Sequence, residues 1–170
     1  MRTIFRATSR FLLEARRDLV RPHGFAAERV GFISVRAAAT PSALLLLAEG
    51  YHPVADEDYV NDATVGAMMG QHAIRKALDI ALLRGLGMFH VHMHDHAGRP
   101  GFSRIDLREQ LKFVPDFFKV RREMPHGAVV LSRDMAAGRV WFQPASVSAI
   151  SEFDAVGPRM IVDFAPGELG

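Results

Sequence analysis

The spacing of apolar and polar residues changes period several times along the chain, and each change marks a predicted element. Residues 2–7 suit a short strand. Ser9 is placed to cap a helix whose apolar stripe runs through Phe11, Leu12, Ala15 and Leu19 and stops before Pro22. Residues 30–35 and 43–48 are continuous apolar runs that predict two buried strands, joined across Thr40 and Pro41. From 51 to 63 the chain turns polar and acidic (YHPVADEDYVNDA). This predicts a surface loop with a solvated acidic cluster, entered through a turn at Gly50 and Tyr51. Helical spacing resumes from Thr64 to Arg84 through Val65, Met68, Met69, Ile74, Leu78, Ala81 and Leu82. It places the methionine pair in the core and Gly85 as the stop.

The next segment, GMFHVHMH, alternates Phe89, Val91 and Met93 with His90, His92 and His94, a period of two that predicts a strand. A helix is expected over 105–122 through Leu107, Leu111, Val114 and Phe118, with Pro115 kinking or splitting it. Strands over 128–132 and 139–142, joined by a turn at 136–138, follow, and residues 160–164 suit one more. Helices mixed with strand pairs, rather than strict strand–helix repetition, argue for an α+β sandwich or half-barrel. No repeat or linker divides the 170 residues, so the expectation is a single domain over 1–170.

Composition narrows the chemistry. The chain has no cysteine, which removes disulfides, thiolate-bound zinc and a cysteine nucleophile. Whatever is bound is bound by oxygen and nitrogen. A net charge of +2 is no nucleic-acid signature, since the high pI arises from a small surplus in which arginine dominates. Apolar runs such as 43–48 are far too short to span a bilayer. Glu14 and Asp18 interrupt the N-terminal stretch before it could read as a signal peptide, so a cytoplasmic protein without membrane or nucleic-acid partners is expected.

Four of the eight histidines occupy alternate positions from His90 to His96. Alternate strand positions share a face about 6–7 Å apart, so two imidazoles can converge on one ion. Ser103 and Asp106 follow at the head of the next helix. Their spacing is that of a capping box, in which the serine oxygen satisfies a free helical amide. It is also how a carboxylate is brought to a strand end bearing two histidines. His23, His52, His72 and His126 have no partner at ligand spacing and read as surface or core histidines.

HMH followed by eight residues and SRID resembles the JAMM, or MPN-plus (JAB), zinc metalloprotease motif, usually written HxH, seven residues, SxxD. That family carries a catalytic glutamate on an earlier strand. Glu28, at the start of ERVGFISV, is similar to it, and Glu49 is the competing acid at the end of an apolar run. The similarity extends over about residues 1–145 through the order of elements. It departs in three places: the spacer is eight residues from His94 (six from His96, ten from His92), Asp95 stands where the family often has proline, and Glu28 and His92 are 64 positions apart, which implies an insertion, most simply the 51–63 loop.

The resemblance implies a JAB/MPN-like, cytidine-deaminase-like fold, a mixed sheet or half-barrel flanked by helices. It implies Zn2+ held by His92, His94 and Asp106, Glu28 as general base, and Ser103 as donor to the oxyanion. His90 and His96 are left to support Asp106 or the attacking water. The implied reaction is hydrolysis of a peptide or isopeptide bond after the C-terminus of a ubiquitin-like protein, in the manner of the prokaryotic, deubiquitinase-like branch. The implied partners are that protein's extended tail and the activating and conjugating enzymes of its pathway. Competing readings are a catalytically silent MPN-type scaffold, a metallo-β-lactamase suggested by HMHDH, and a cupin-like barrel.

Overall fold

The computed structural model describes residues 2–22, 24, 28–61 and 67–157. Strand β1 (Arg2–Thr8) leads directly into helix α1 (Ser9–Leu19). The cap is Thr8 rather than Ser9. Thr8 is the last extended residue, as a cap must be, and its hydroxyl accepts from the Phe11 amide.

Strands β2 (Val30–Ala39) and β3 (Ala43–Pro53) pair antiparallel. The turn expected at Gly50 and Tyr51 is absent: both residues are paired, opposite Ser34 and Ile33. A 2.6 Å hydrogen bond from the Tyr51 hydroxyl to Asp18 helps to keep this polar stretch in the sheet. The acidic segment continues as a short 3-10 helix (Asp56–Asp58), and one of its acids is not solvated. Asp58 is buried, with Lys76 Nζ at 2.6 Å and His72 Nδ1 at 3.3 Å, and the lysine ammonium above all holds its carboxyl below the usual range.

Helix α2 (Gln71–Arg84) starts later than the spacing from Thr64 predicts. Residues 62–66 lie outside the described residues, and Met69 is instead bridged to Tyr59 as a strand residue is. Met68 is exposed, against the expected core position, and only Met69 of the pair packs on the core. The helix ends as its sequence predicts, with Gly85 in the left-handed region at φ 67°.

Strand β4 (Gly87–Met93), helix α3 (Arg104–Val120) and strand β5 (His126–Leu131) form a β–α–β unit with parallel neighbouring strands. Helix α3 runs through Pro115 without splitting. An interior proline costs about 3 kcal/mol. Burial of Phe113, Val114, Phe117 and Phe118 on either side offsets it, at roughly 1.5–3 kcal/mol per fully buried large side chain. Strands β6 (Ala136–Gln143), β7 (Ser146–Ala149) and β8 (Glu152–Val156) complete the described elements. The turn before β6 lies at 132–135, where the Ser132 hydroxyl accepts from the Met135 amide, so residues 136–138, read as the turn, are strand. The strand expected at 160–164 lies outside the described residues.

The eight strands form one mixed sheet in the order β7-β6-β5-β4-β2-β3-β1-β8. On one face, Phe5, Ile33, Leu46, Phe89, Val91 and Val129 pack with α1. On the other, Val30, Phe32, Met88 and Trp141 pack under α2 and α3. The sheet curls, so that the segment leading into β8 returns to β6: the Ile150 amide donates to Gly138 O at 2.9 Å, and a Cβ at Gly138 would sit 2.8 Å from the Phe153 ring. Glycine is what lets the two ends approach. This is a mixed α+β architecture.

A candidate metal centre at the end of the histidine strand

The alternation of β4 divides its side chains between the two cores. Phe89, Val91 and Met93 face the α1 side, while Met88 packs on the helix side, the side to which His90 and His92 project. The next residue of that face, His94, lies just past the strand and is held there by its amide, which donates to Leu131 O at 2.9 Å. The rings of His90, His92 and His94 follow one another, tilted, at centroid separations of 5.7 and 5.1 Å, close to the spacing of alternate residues on a strand face. His96 is exposed, its Nδ1 against Ala97 O.

Register brings the glutamate to this row. Strands β2 and β4 are antiparallel with Val30 opposite His92 as their last pair, and Glu28 and His94 each follow two residues beyond it. Glu28 Oε1 lies 3.9 Å from His94 Nε2. A ligand atom from each of Glu28, His92 and His94 lies within 4.8 Å of the others, a group able to hold a metal ion.

Helix α3 supplies the opposite wall. Ser103 caps it in a full capping box: its hydroxyl accepts from the Asp106 amide at 3.1 Å, and Asp106 Oδ2 accepts from the Ser103 amide at 2.7 Å. The same Oδ2 stands 3.7 Å from His92 Nε2. Asp106 was expected among the metal ligands and Glu28 as the base. The geometry brings both carboxylates to the histidines, with Glu28 inside the ligand group and Asp106 beside it. Together these residues line a cleft of about 150 Å³ with Val30, Met69 and Phe113. Asp95, in the place of the family's proline, points elsewhere and pairs with Arg133 at 2.8 Å. Glu49 also lies elsewhere, paired with Arg36.

Burial sets the protonation states. It pushes His92 down to about 4, with Asp106 opposing and His94 adding to the shift. It pushes His90 down to about 3. Both rings are therefore neutral at pH 7, the form that ligates a cation without first losing a proton. Burial likewise raises the Glu28 carboxyl, the His94 ring opposes this and the charge of Asp106 reinforces it. A carboxylate so placed is a stronger proton acceptor than one in water.

Buried Gln110 of α3 and half-buried Arg139 of β6, joined at 3.3 Å, also belong to this region, and neither stands out in the sequence. The available signal was the helical spacing of Ser103, Asp106, Gln110 and Phe113, which places one polar face toward the histidines. No family model matches this chain, and no curated protein matches it in sequence. Among the described residues no helix is long and apolar enough to cross a membrane.

Proposed function

We propose that this protein is a zinc-dependent hydrolase of the JAMM/MPN-plus kind, cleaving peptide or isopeptide bonds after the C-terminus of a ubiquitin-like protein. The observation that carries the reading is the meeting of Glu28 with His92 and His94, residues far apart in sequence, beside a helix capped by Ser103 and Asp106. The donor set suits zinc. Two imidazoles and a carboxylate match a hydrolytic zinc site, and tetrahedral ligands at about 2.0–2.2 Å from the ion lie about 3.4 Å apart. The 3.7 Å between His92 Nε2 and Asp106 Oδ2 is close to that spacing, and Glu28, 3.9 Å from His94 Nε2, stands beside the set. The buried His92 Nε2, which has no hydrogen-bond partner among the described residues, is the atom that such an ion satisfies.

In this reading His92, His94 and Asp106 hold the ion. Bound there, zinc would supply Lewis acidity toward the scissile carbonyl and toward water, whose pKa it would bring toward about 7. Glu28 accepts the proton of the attacking water and returns it to the departing amine, a role that its raised pKa favours. The Ser103 hydroxyl uses its oxygen to cap α3, which leaves its hydrogen to donate to the developing oxyanion. The substrate tail binds extended, by main-chain hydrogen bonds to a strand of the domain.

Untagged protein is expected to carry one zinc per chain and to cleave both a linear fusion and a lysine-linked conjugate of a ubiquitin-like protein, or one of the two. His92→Ala is expected to lose metal and cleavage together. Wild-type protein that takes up no zinc overturns the metal assignment. Zinc without cleavage of any such substrate overturns the hydrolase assignment and favours a silent scaffold.

A further inference from the structure

Four buried side-chain atoms have no hydrogen-bond partner among the described residues: His90 Nδ1, His92 Nδ1, His92 Nε2 and Gln110 Nε2. All four belong to residues lining the cleft of the candidate metal centre. An unpaired buried polar group is destabilising, so several in one place mark positions that a bound species satisfies. The ion of the proposed function accounts for His92 Nε2, the ring nitrogen nearest Asp106. Three atoms remain.

Their hydrogen-bonding characters are complementary to one small molecule. A neutral His92 that ligates through Nε2 carries its proton on Nδ1 and must donate it. Gln110 Nε2 can only donate. Its amide is oriented by Arg139, whose Nη1 donates to Gln110 Oε1 at 3.3 Å and whose guanidinium lies 4.9 Å over the Trp141 ring. His90 is wedged against Phe32 and Phe113 at centroid separations of 5.8 and 5.3 Å; with its proton on Nε2, its Nδ1 accepts. Two donors and one acceptor are what a single water pairs with, accepting twice and donating once.

Resting on the metal reading above, we propose that Gln110, clamped by Arg139, is a positioning residue for His92. It acts through one internal water shared by Gln110 Nε2, His92 Nδ1 and His90 Nδ1. The water fixes the His92 tautomer and its ring orientation, as the outer hydrogen bond of a metal-ligating histidine generally does, and groups in that role change metal affinity by about 10–100-fold. His90 and Gln110 are then the inner wall of the centre rather than ligands.

The test is zinc affinity by chelator competition for wild type and Gln110→Leu, with thermal melting as the control for folding. Affinity is expected to fall about 10–100-fold in the folded variant. A second measurement needs no variant: two-bond 1H–15N correlation on zinc-loaded wild type is expected to find His90 as the Nε2–H tautomer. Equal affinity in folded Gln110→Leu, or a proton on His90 Nδ1, overturns this inference and leaves the metal centre standing. Wild-type protein that binds no zinc overturns both. Should Gln110→Leu fail to fold, the His90 tautomer decides.

Discussion

Glu28 and His94 face each other 3.9 Å apart although they stand 66 positions apart in sequence, each two residues past the last pair of the β2–β4 register, Val30 and His92. The adjacent ladder, which brings the two chain ends together, does not depend on the Glu28 side chain. Glu28→Gln is expected to keep the fold and one zinc per chain while kcat for a ubiquitin-like fusion falls about 10²–10⁴-fold, the range for loss of a general base. Metal content and single-turnover cleavage measured on the same preparation check this. Loss of zinc in Glu28→Gln, with zinc retained in Asp106→Asn, would exchange the roles of the two carboxylates.

Ser103 is given two tasks, and they can be separated. Ser103→Ala removes both the helix cap and the hydroxyl donor, and is expected to lower stability by about 1 kcal/mol. Ser103→Gly caps almost as well, within a few tenths of a kcal/mol of serine, yet also lacks the donor. Both variants are expected to lose about 10²–10³-fold in kcat, as removal of one oxyanion donor does. Urea unfolding and steady-state kinetics on the pair check it. Activity in Ser103→Gly near that of wild type would restrict Ser103 to capping.

The histidine strand was legible because a period of two is a local property, and so was the capping box, whose two hydrogen bonds join neighbours in sequence. The approach of Glu28 was legible only through resemblance, since strand register is fixed by pairing across the sheet. What the pattern hid was non-local. Tyr51 belongs to β3 because a distant Asp18 accepts from its hydroxyl, and Asp58 is buried because Lys76 of α2 reaches it. Strands β7 and β8 were missed for a related reason: β8 reads as a charged segment, EFDAV, because its outward acids pair with Arg2 and Arg6 of β1. Gln110 reads in sequence as an ordinary polar helix residue, but it is buried and accepts from Arg139 of β6, far along the chain.

The return of the chain leading into β8 toward β6 rests on the missing side chain of Gly138. A Cβ there would lie 2.6 Å from Ile150 Cδ1 and 2.8 Å from Phe153 Cζ, with Ala128 O at 3.1 Å behind it. The two side-chain ends can swing away, but the carbonyl belongs to the neighbouring strand and cannot. Gly138→Ala is therefore expected to cost about 1–3 kcal/mol, the range for overpacking a filled interior. Zinc affinity should be unchanged, since the site lies on the other face. A chemical-denaturation midpoint equal to that of wild type would show that the curl closes less tightly than these distances state.

His126 gives the metal-free protein a defined acid sensitivity. Its Nδ1 accepts from the Met88 amide at 3.1 Å and its Nε2 donates to Arg121 O at 2.8 Å, so the ring is held as the neutral Nε2–H tautomer between β4 and the end of α3. Phe117 stacks on it and Phe118 meets it edge-on, and burial pushes its pKa from 6.5 down to about 4. Because the folded value lies below the unfolded one, the unfolded chain binds the proton first as pH falls. The neutral ring's contribution is whole above pH 6.5 and is lost as pH drops from 6.5 toward 4, by about 3 kcal/mol in all at 1.36 kcal/mol per unit. His90 and His92, also depressed by burial, add to the same window when no metal is bound. His126→Phe suits the aromatic surroundings but leaves the Met88 amide unpaired, so it is expected to be less stable than wild type at pH 7 by about 1–3 kcal/mol. Between pH 6.5 and 4 its stability is expected to fall less steeply, by close to one proton, as measured by urea unfolding of chelator-treated protein at intervals of half a pH unit. Parallel curves for the two proteins would place the acid sensitivity entirely in the histidines of the metal centre.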